Sequence, residues 1–245
     1  RVHSKNDAFY SFQRAKKAGF DNINLDIMFG IPGQSMKDWK DTVRQCIFLG
    51  PAHISLYSLQ IEEGTEFYDL YKEGSLEKVP ETIDREMYHT ALKMMKSAGY
   101  IHYEISNCAL EGRESRHNLK YWSYDEYLGM GLGASSFAGG KRFNNCKDMH
   151  GYLAAIREDV PPVDEESVEK YSEKEEMGIY VFTGLRKSAG ISLEDFRKTF
   201  GRDLFDVYER GILGRYRGLL ILADDRLYLS ERGMDLSNRI MMEFV

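Results

Sequence analysis

Several features are scarce in this 245-residue chain, and each scarcity removes a class of protein. Its three cysteines, Cys46, Cys108 and Cys146, are far apart and odd in number, so they match neither a disulfide framework nor the spacing of a zinc or iron–sulfur site. No apolar run approaches the roughly 20 residues that cross a bilayer, and no secretory leader precedes the first helix. We therefore expect a cytoplasmic protein without an integral membrane segment.

Positive charge is outnumbered by negative charge, with 33 Lys and Arg against 39 Asp and Glu. The formal net charge is -6 and the pI is near 5.6, so there is no electrostatic reason to expect nucleic acid as a partner. Hydrophobic residues make up 42% of the chain and aromatic residues 13%, which is enough for a sizeable core and argues against disorder. Because the chain begins at Arg1, within a repeating pattern, we expect a fragment of a longer protein.

Helices and strands alternate up to about residue 108. The strands "INLDIMF", "HISLYSLQ" and "IHYEIS" each follow a helical segment, which predicts parallel strands joined by crossover helices and an exposed sheet edge. In the first strand Asn24, Asp26 and Met28 share one face. A polar strand face suits the ligand-holding interior of a barrel better than a doubly wound sheet. The fold class is thus α/β, with about half of a barrel.

The character changes near residue 165. An acidic stretch leads to helices predicted over 173–187 and 203–217, a hairpin at Asp224-Asp225 and a last helix, an order typical of a winged-helix module. Residues 165–245 carry 13 Lys and Arg against 16 Asp and Glu, which favours a packing or lid domain over DNA binding. We predict two domains, 1–160 and 165–245.

Two segments point to a ligand. The Asp26 carboxylate on an inward strand face needs a donor, such as Arg1 or the hydroxyls of a ligand. The glycines of "GLGASS" and the preceding "GM" recur at every second residue, which is not a dinucleotide fingerprint. They predict a strand with one bare face, against which something large lies. Just upstream, "RHNLKYW" combines a histidine, an asparagine and two aromatic rings.

Five motifs stand in order along the chain: "INLDIMFGIPGQS", "HISLYSLQIEEGT", "YEISNCA", "RHNLKYW" and "YLGMGLGASS". Together they resemble the oxygen-independent coproporphyrinogen III oxidase-like family of radical S-adenosylmethionine (SAM) proteins. The H-N-x-x-Y-W element is similar to the HemW-type heme chaperones of that family and not to its decarboxylating oxidases. The resemblance implies a partial (β/α)6 barrel, SAM, and a 4Fe-4S cluster whose cysteine ligands would precede Arg1. It also implies heme held for transfer to acceptor proteins.

The resemblance also implies site residues. Those carried over for SAM are Arg1, Asp26, Gln60 and Ser135. Those carried over for heme are His117, Asn118, Tyr121 and Trp122. A second interpretation of the heme set stays open, in which His117 and Asn118 hydrogen-bond a loop while the two rings fill the core. No catalytic residue and no metal ligand is predicted in this chain.

The function predicted from the resemblance is a heme-binding chaperone of the radical SAM family. The alternative is an oxygen-independent coproporphyrinogen III oxidase, an oxidoreductase that removes two propionate carboxyls in porphyrin biosynthesis. A third hypothesis is a binding module without catalysis. The residues themselves leave open whether the chain is part of an enzyme.

Overall fold

The computed structural model describes residues 4–245. The chain divides into two compact units, Arg1–Ser115 and Arg116–Val245, which we name the N-terminal unit and the C-terminal unit. Arg1, one of the residues predicted to contact SAM, lies outside the described residues. None of the helices formed by residues 4–245 combines the length and the apolar character that a membrane span requires.

The N-terminal unit alternates helices and strands, as its sequence pattern predicts. In chain order its elements are α1 (Lys5–Lys17), β1 (Asn24–Phe29), α2 (Met36–Leu49), β2 (His53–Ser58), α3 (Glu66–Lys72), α4 (Glu81–Ser97), β3 (Ile101–Glu104) and β4 (Asn107–Ala109). Local capping sets the helix ends. At the start of α2 the Ser35 hydroxyl accepts a hydrogen bond from the Asp38 N–H, and Gly50 ends the helix in the left-handed conformation.

The sheet of this unit has the strand order β1-β2-β4-β3. β1 and β2 are parallel, as predicted, with Asp26 opposite Ser55. The prediction of an entirely parallel sheet is wrong, because β4 pairs antiparallel with both β2 and β3. After the crossover helix α4, β3 does run in the same direction as β2. A turn at Ile105 and Ser106 then reverses the chain, and β4 is inserted between β2 and β3.

One face of this sheet carries the core. Phe29, Ile54 and Leu56 are buried against α2 and α4. Trp39 of α2 has no exposed surface, and its Nε1–H donates to the Met87 carbonyl oxygen at 2.7 Å. The apolar face of the sheet is thereby covered, which leaves the opposite face to the polar residues of β1 and β2.

The C-terminal unit is built from shorter elements. In chain order they are α5 (Arg116–Trp122), β5 (Ser135–Ala138), β6 (Lys141–Asn145), α6 (Met149–Arg157), β7 (Val163–Lys170), α7 (Glu173–Gly184), β8 (Ile191–Ser192), α8 (Leu193–Phe200), α9 (Leu204–Val207), α10 (Gly211–Arg215), β9 (Leu220–Ala223), β10 (Arg226–Leu229), α11 (Glu231–Asp235), α12 (Ser237–Met241) and a 3₁₀ helix (Met242–Phe244). The strands form two three-stranded sheets, ordered β5-β6-β7 and β8-β10-β9.

The division between the units differs from the domain boundary predicted near residues 160–165. The acidic segment falls on β7, which pairs antiparallel with β6 and so joins both sides of that boundary in one sheet. The helix predicted over 203–217 is interrupted, because Tyr208 is extended between α9 and α10. The hairpin is confirmed: β9 and β10 are antiparallel, and Asp224 and Asp225 both have positive φ. The winged-helix likeness stays a prediction.

The strand predicted over the glycine ladder is wrong. Residues 128–134 form a loop before β5, and Gly131 and Gly133 have φ of 109° and 65°, values that a strand does not adopt. Gly129 is required for a different reason: a Cβ at this position would lie 2.3 Å from the Ser135 carbonyl oxygen. The alternating glycines therefore serve a turn and one close backbone approach.

Candidate functional site

The polar face of the N-terminal sheet holds a chain of hydrogen bonds. The Asn24 Nδ2 donates to Asp26 Oδ1 at 2.6 Å, and the Asn24 Oδ1 lies 2.7 Å from Nδ1 of His53. On its other side His53 Nε2 lies 2.7 Å from the Tyr103 hydroxyl, which also accepts the Ser115 N–H. Burial lowers the pKa of His53, against the opposing effect of nearby carboxylates. These side chains largely satisfy one another.

The residues predicted for SAM are spread along the chain. Asp26 is exposed in the middle of β1, and only its Oδ1 has a hydrogen-bond partner among the described residues. Gln60 is exposed just after β2. Ser135 lies in β5 of the C-terminal unit, where its hydroxyl donates to Asn144 Oδ1 at 2.5 Å. The polar strand face predicted from Asn24 and Asp26 is present, but the SAM set itself stays a prediction.

The cysteines do not fit an iron–sulfur cluster. Cys46 and Cys108 belong to the apolar core of the N-terminal unit, and burial raises the pKa of each thiol to about 12. Cys146 is half-buried in the C-terminal unit. Within residues 4–245 no group of three or more His, Cys, Asp or Glu could hold a metal ion.

The motif "RHNLKYW" is the helix α5, which belongs to the C-terminal unit. Its i, i+4 spacing places His117 and Tyr121 on one face, where the Tyr121 hydroxyl lies 2.8 Å from His117 Nε2 and the rings meet edge to face at 4.8 Å. The Arg186 guanidinium stacks over the Trp122 ring at 4.3 Å. The second interpretation predicted that His117 bonds a loop. Its hydrogen bond is instead to Tyr121 of the same helix.

Three of these residues line a large cavity. His117, Tyr121 and Trp122 border a space of about 1060 Å³ formed entirely by residues of the C-terminal unit, at the upper end of the ~300–1,000 Å³ of ligand pockets. Asn118 does not border it. Ser135 does, so the structure places this residue, predicted for SAM, with the residues predicted for heme.

Aromatic rings make up much of the wall. Tyr124 follows α5 with φ of 61°, which is rare for an aromatic residue, and its ring lies 4.7 Å from that of Phe137. Tyr127 pairs with Phe137 through two backbone hydrogen bonds and sets its ring 4.5 Å from Tyr121. Burial raises the pKa of Tyr124. Its hydroxyl and Nε1 of Trp122 are both buried without a hydrogen-bond partner.

The glycine loop forms part of the rim. Asn145, which is buried at the end of β6, donates from Nδ2 to the carbonyl oxygens of Gly129 and Gly131 at 3.1 and 2.8 Å. Held in this way, the loop presents Leu128 and Met130 to solvent, with 71% and 93% of their surfaces exposed. Both side chains border the cavity. An exposed apolar rim of this kind is typical of a binding groove or an interaction surface.

Sequence reasoning found the α5 residues but not the wall opposite them. Tyr124, Phe137 and Arg142 become neighbours of the motif only through the turn after α5 and the hairpin of β5 and β6. An aromatic-rich stretch just after the motif is the available signal, and it does not show which rings line the cavity.

The comparisons with known proteins agree on one family. Residues 171–236 match the family model described as the HemN C-terminal domain. The whole chain is 37% identical to the heme chaperone HemW of Bacillus subtilis and 35% identical to that of Lactococcus lactis subsp. lactis. The chain is a relative of HemW. The resemblance predicted from the motifs is thereby confirmed.

The chain spans 64% of the length of each of these HemW relatives. A solved structure, described as the coproporphyrinogen III oxidase HemN from Escherichia coli, a radical SAM enzyme, superposes with a TM-score of 0.76. That match covers 100% of this chain and 59% of the other at 18% identity. It shows a shared α/β fold.

Proposed function

We propose that this chain is part of a radical SAM heme chaperone and that heme, its cargo, binds in the cavity of the C-terminal unit. The observation that supports the proposal is the joint placement of His117, Tyr121 and Trp122 on that cavity. Imidazole is a common ligand of heme iron, and aromatic rings pack well against a flat macrocycle. The printed name of the HemW relatives points the same way.

SAM belongs to the proposal at the level of the family. Asp26 fits it by its chemistry, because the carboxylate is exposed on the polar sheet face and its Oδ2 has no partner among the described residues. Such an oxygen accepts hydrogen bonds from ribose hydroxyls. The described cysteines do not fit the cluster, so no step is assigned to it here. Delivery of heme to acceptor proteins and a cytoplasmic location remain parts of the proposal.

The test is a heme titration of the chain followed by optical spectroscopy. His117→Ala should lower heme affinity about tenfold or more, a difference of ~1.4 kcal/mol, and change the Soret band, because the iron loses an axial nitrogen. The matched control is His150→Ala, since His150 is exposed in the same unit and does not border the cavity.

A thermal melt of each variant separates loss of a ligand from loss of fold. If the folded His117 variant keeps the affinity and the spectrum of the parent chain, His117 is structural and the proposed iron ligand is wrong. If the parent chain binds no heme, the proposed function itself is contradicted.

A further inference from the structure

One charged side chain in the cavity wall has no role in the heme contacts proposed so far. Arg142 of β6 is the sole Lys or Arg among the described residues that line the cavity. It stands opposite Phe137 in the β5–β6 hairpin, with its guanidinium carbon 5.9 Å from the centre of that ring. The strand pairing fixes where this cation lies relative to the aromatic wall.

Among the described residues the guanidinium has a ring neighbour, Phe137, but no hydrogen-bond or ion-pair partner. Its Nε is buried without a hydrogen bond, and no carboxylate within residues 4–245 lies in ion-pairing distance of it. A half-buried cation without a partner is costly. The cost is offset when an anion binds, because the planar fork of arginine matches a carboxylate through two parallel hydrogen bonds.

Two of the carboxylates near Arg142 are engaged elsewhere. Glu169 faces it in the β6–β7 register, but its Oε2 accepts the hydroxyl of Tyr171. Glu175, which borders the cavity, caps α7 by accepting both the N–H and the hydroxyl of Ser172 at 2.7 Å. The protein therefore leaves the guanidinium available on the cavity side.

We propose that Arg142 binds a carboxylate of the tetrapyrrole held in the cavity, so that His117 and Arg142 fix two different parts of one ligand. The proposal rests on the proposed heme binding and adds the group that orients the ring. Heme has an apolar face and two propionates at one edge. An aromatic wall with one free guanidinium is complementary to both features.

The experiment compares heme with heme dimethyl ester, in which both carboxylates are masked. The parent chain should bind heme about tenfold more tightly than the ester, equivalent to ~1.4 kcal/mol. Arg142→Gln should remove that preference by weakening heme while leaving ester binding unchanged. Arg142→Lys should restore part of it, since it keeps the charge but not the fork.

The matched control is Lys141→Gln. Lys141 is the neighbour of Arg142 in β6, is exposed and does not border the cavity, so its loss changes the net charge equally and should leave the preference intact. The ratio of heme affinity to ester affinity is measured on the parent chain, so this part of the test does not depend on the folding of a variant. Equal affinities of the parent for heme and ester, or a preference that survives in Arg142→Gln, overturn the role of Arg142 while heme binding stands. No binding of either compound overturns the proposed function and this role together.

Discussion

Two groups of polar side chains, one in each unit, differ in how they are paired. In the N-terminal unit Asn24, His53 and Tyr103 bind one another in a continuous chain. In the C-terminal unit Trp122, Tyr124 and Arg142 each border the cavity with a buried polar atom that has no partner. Buried polar groups in proteins are almost always paired. The first set is satisfied within the fold, whereas the second set offers polar atoms to the ligand proposed for the cavity.

The largest expected effect comes from the N-terminal core, where packing does not depend on a ligand. Met87→Ala removes a fully buried side chain next to Trp39 and should lower the free energy of unfolding by about 2–5 kcal/mol. Urea unfolding followed by Trp39 fluorescence in a Trp122→Phe background measures it. Ile83→Ala, on the same helix but 38% exposed, is the control. Equal losses in both variants would contradict the assigned core.

A smaller effect is expected at the cavity rim. Gly129→Ala places a Cβ 2.3 Å from the Ser135 carbonyl oxygen, which forces the loop or β5 to move and should cost about 1–3 kcal/mol. Heme affinity should fall as well, because both segments border the cavity. Gly214→Ala serves as control, since nothing lies within 4 Å of its Cβ position. Unchanged stability and heme affinity in Gly129→Ala would show that the glycine loop is not held tightly against β5.

The hydrogen-bonded set of Asn24, His53 and Tyr103 makes the free energy of unfolding depend on pH. Burial lowers the pKa of His53 below its ordinary value of 6.5, so the unfolded chain binds a proton before the folded one does. Stability is therefore complete above that value and falls as the pH drops below it, by at most about 1.4 kcal/mol per pH unit for one proton.

His53→Gln should flatten this dependence. Urea unfolding of both chains in the Trp122→Phe background at about pH 5.5 and 7.5, read from Trp39 fluorescence, tests the difference. An identical pH slope in the parent and the variant would show that His53 does not titrate with unfolding.

The smallest effect concerns the hydrogen bond within α5. Tyr121→Phe removes the hydroxyl that lies 2.8 Å from His117 Nε2 and so frees this nitrogen for iron. Heme affinity should rise about 2- to 10-fold, corresponding to a neutral hydrogen bond of ~0.5–1.5 kcal/mol. Tyr127→Phe, in the same aromatic wall, is the control. A fall in affinity would mean instead that the Tyr121 hydroxyl contacts the ligand itself.

Much of the N-terminal unit could be predicted because its signals are local. Ser35 and Gly50 mark the ends of α2, and the alternation of Asn24, Asp26 and Met28 gives β1 its polar face. The antiparallel insertion of β4 could not be predicted, since "NCA" is too short to show a pattern. Its pairing with β2 and β3 depends on the position of these two strands in the folded sheet.

Sequence spacing alone places His117 and Tyr121 on one helix face, because residues four apart lie on the same side of any α-helix. The sequence also determined the family, through motifs whose order the chain preserves. By contrast, Phe137 and Arg142 border the same cavity as these residues because of long-range contacts. The reason is that the pairing of β5 with β6, and the loop that Asn145 holds in front of them, depend on contacts between segments that no local pattern encodes.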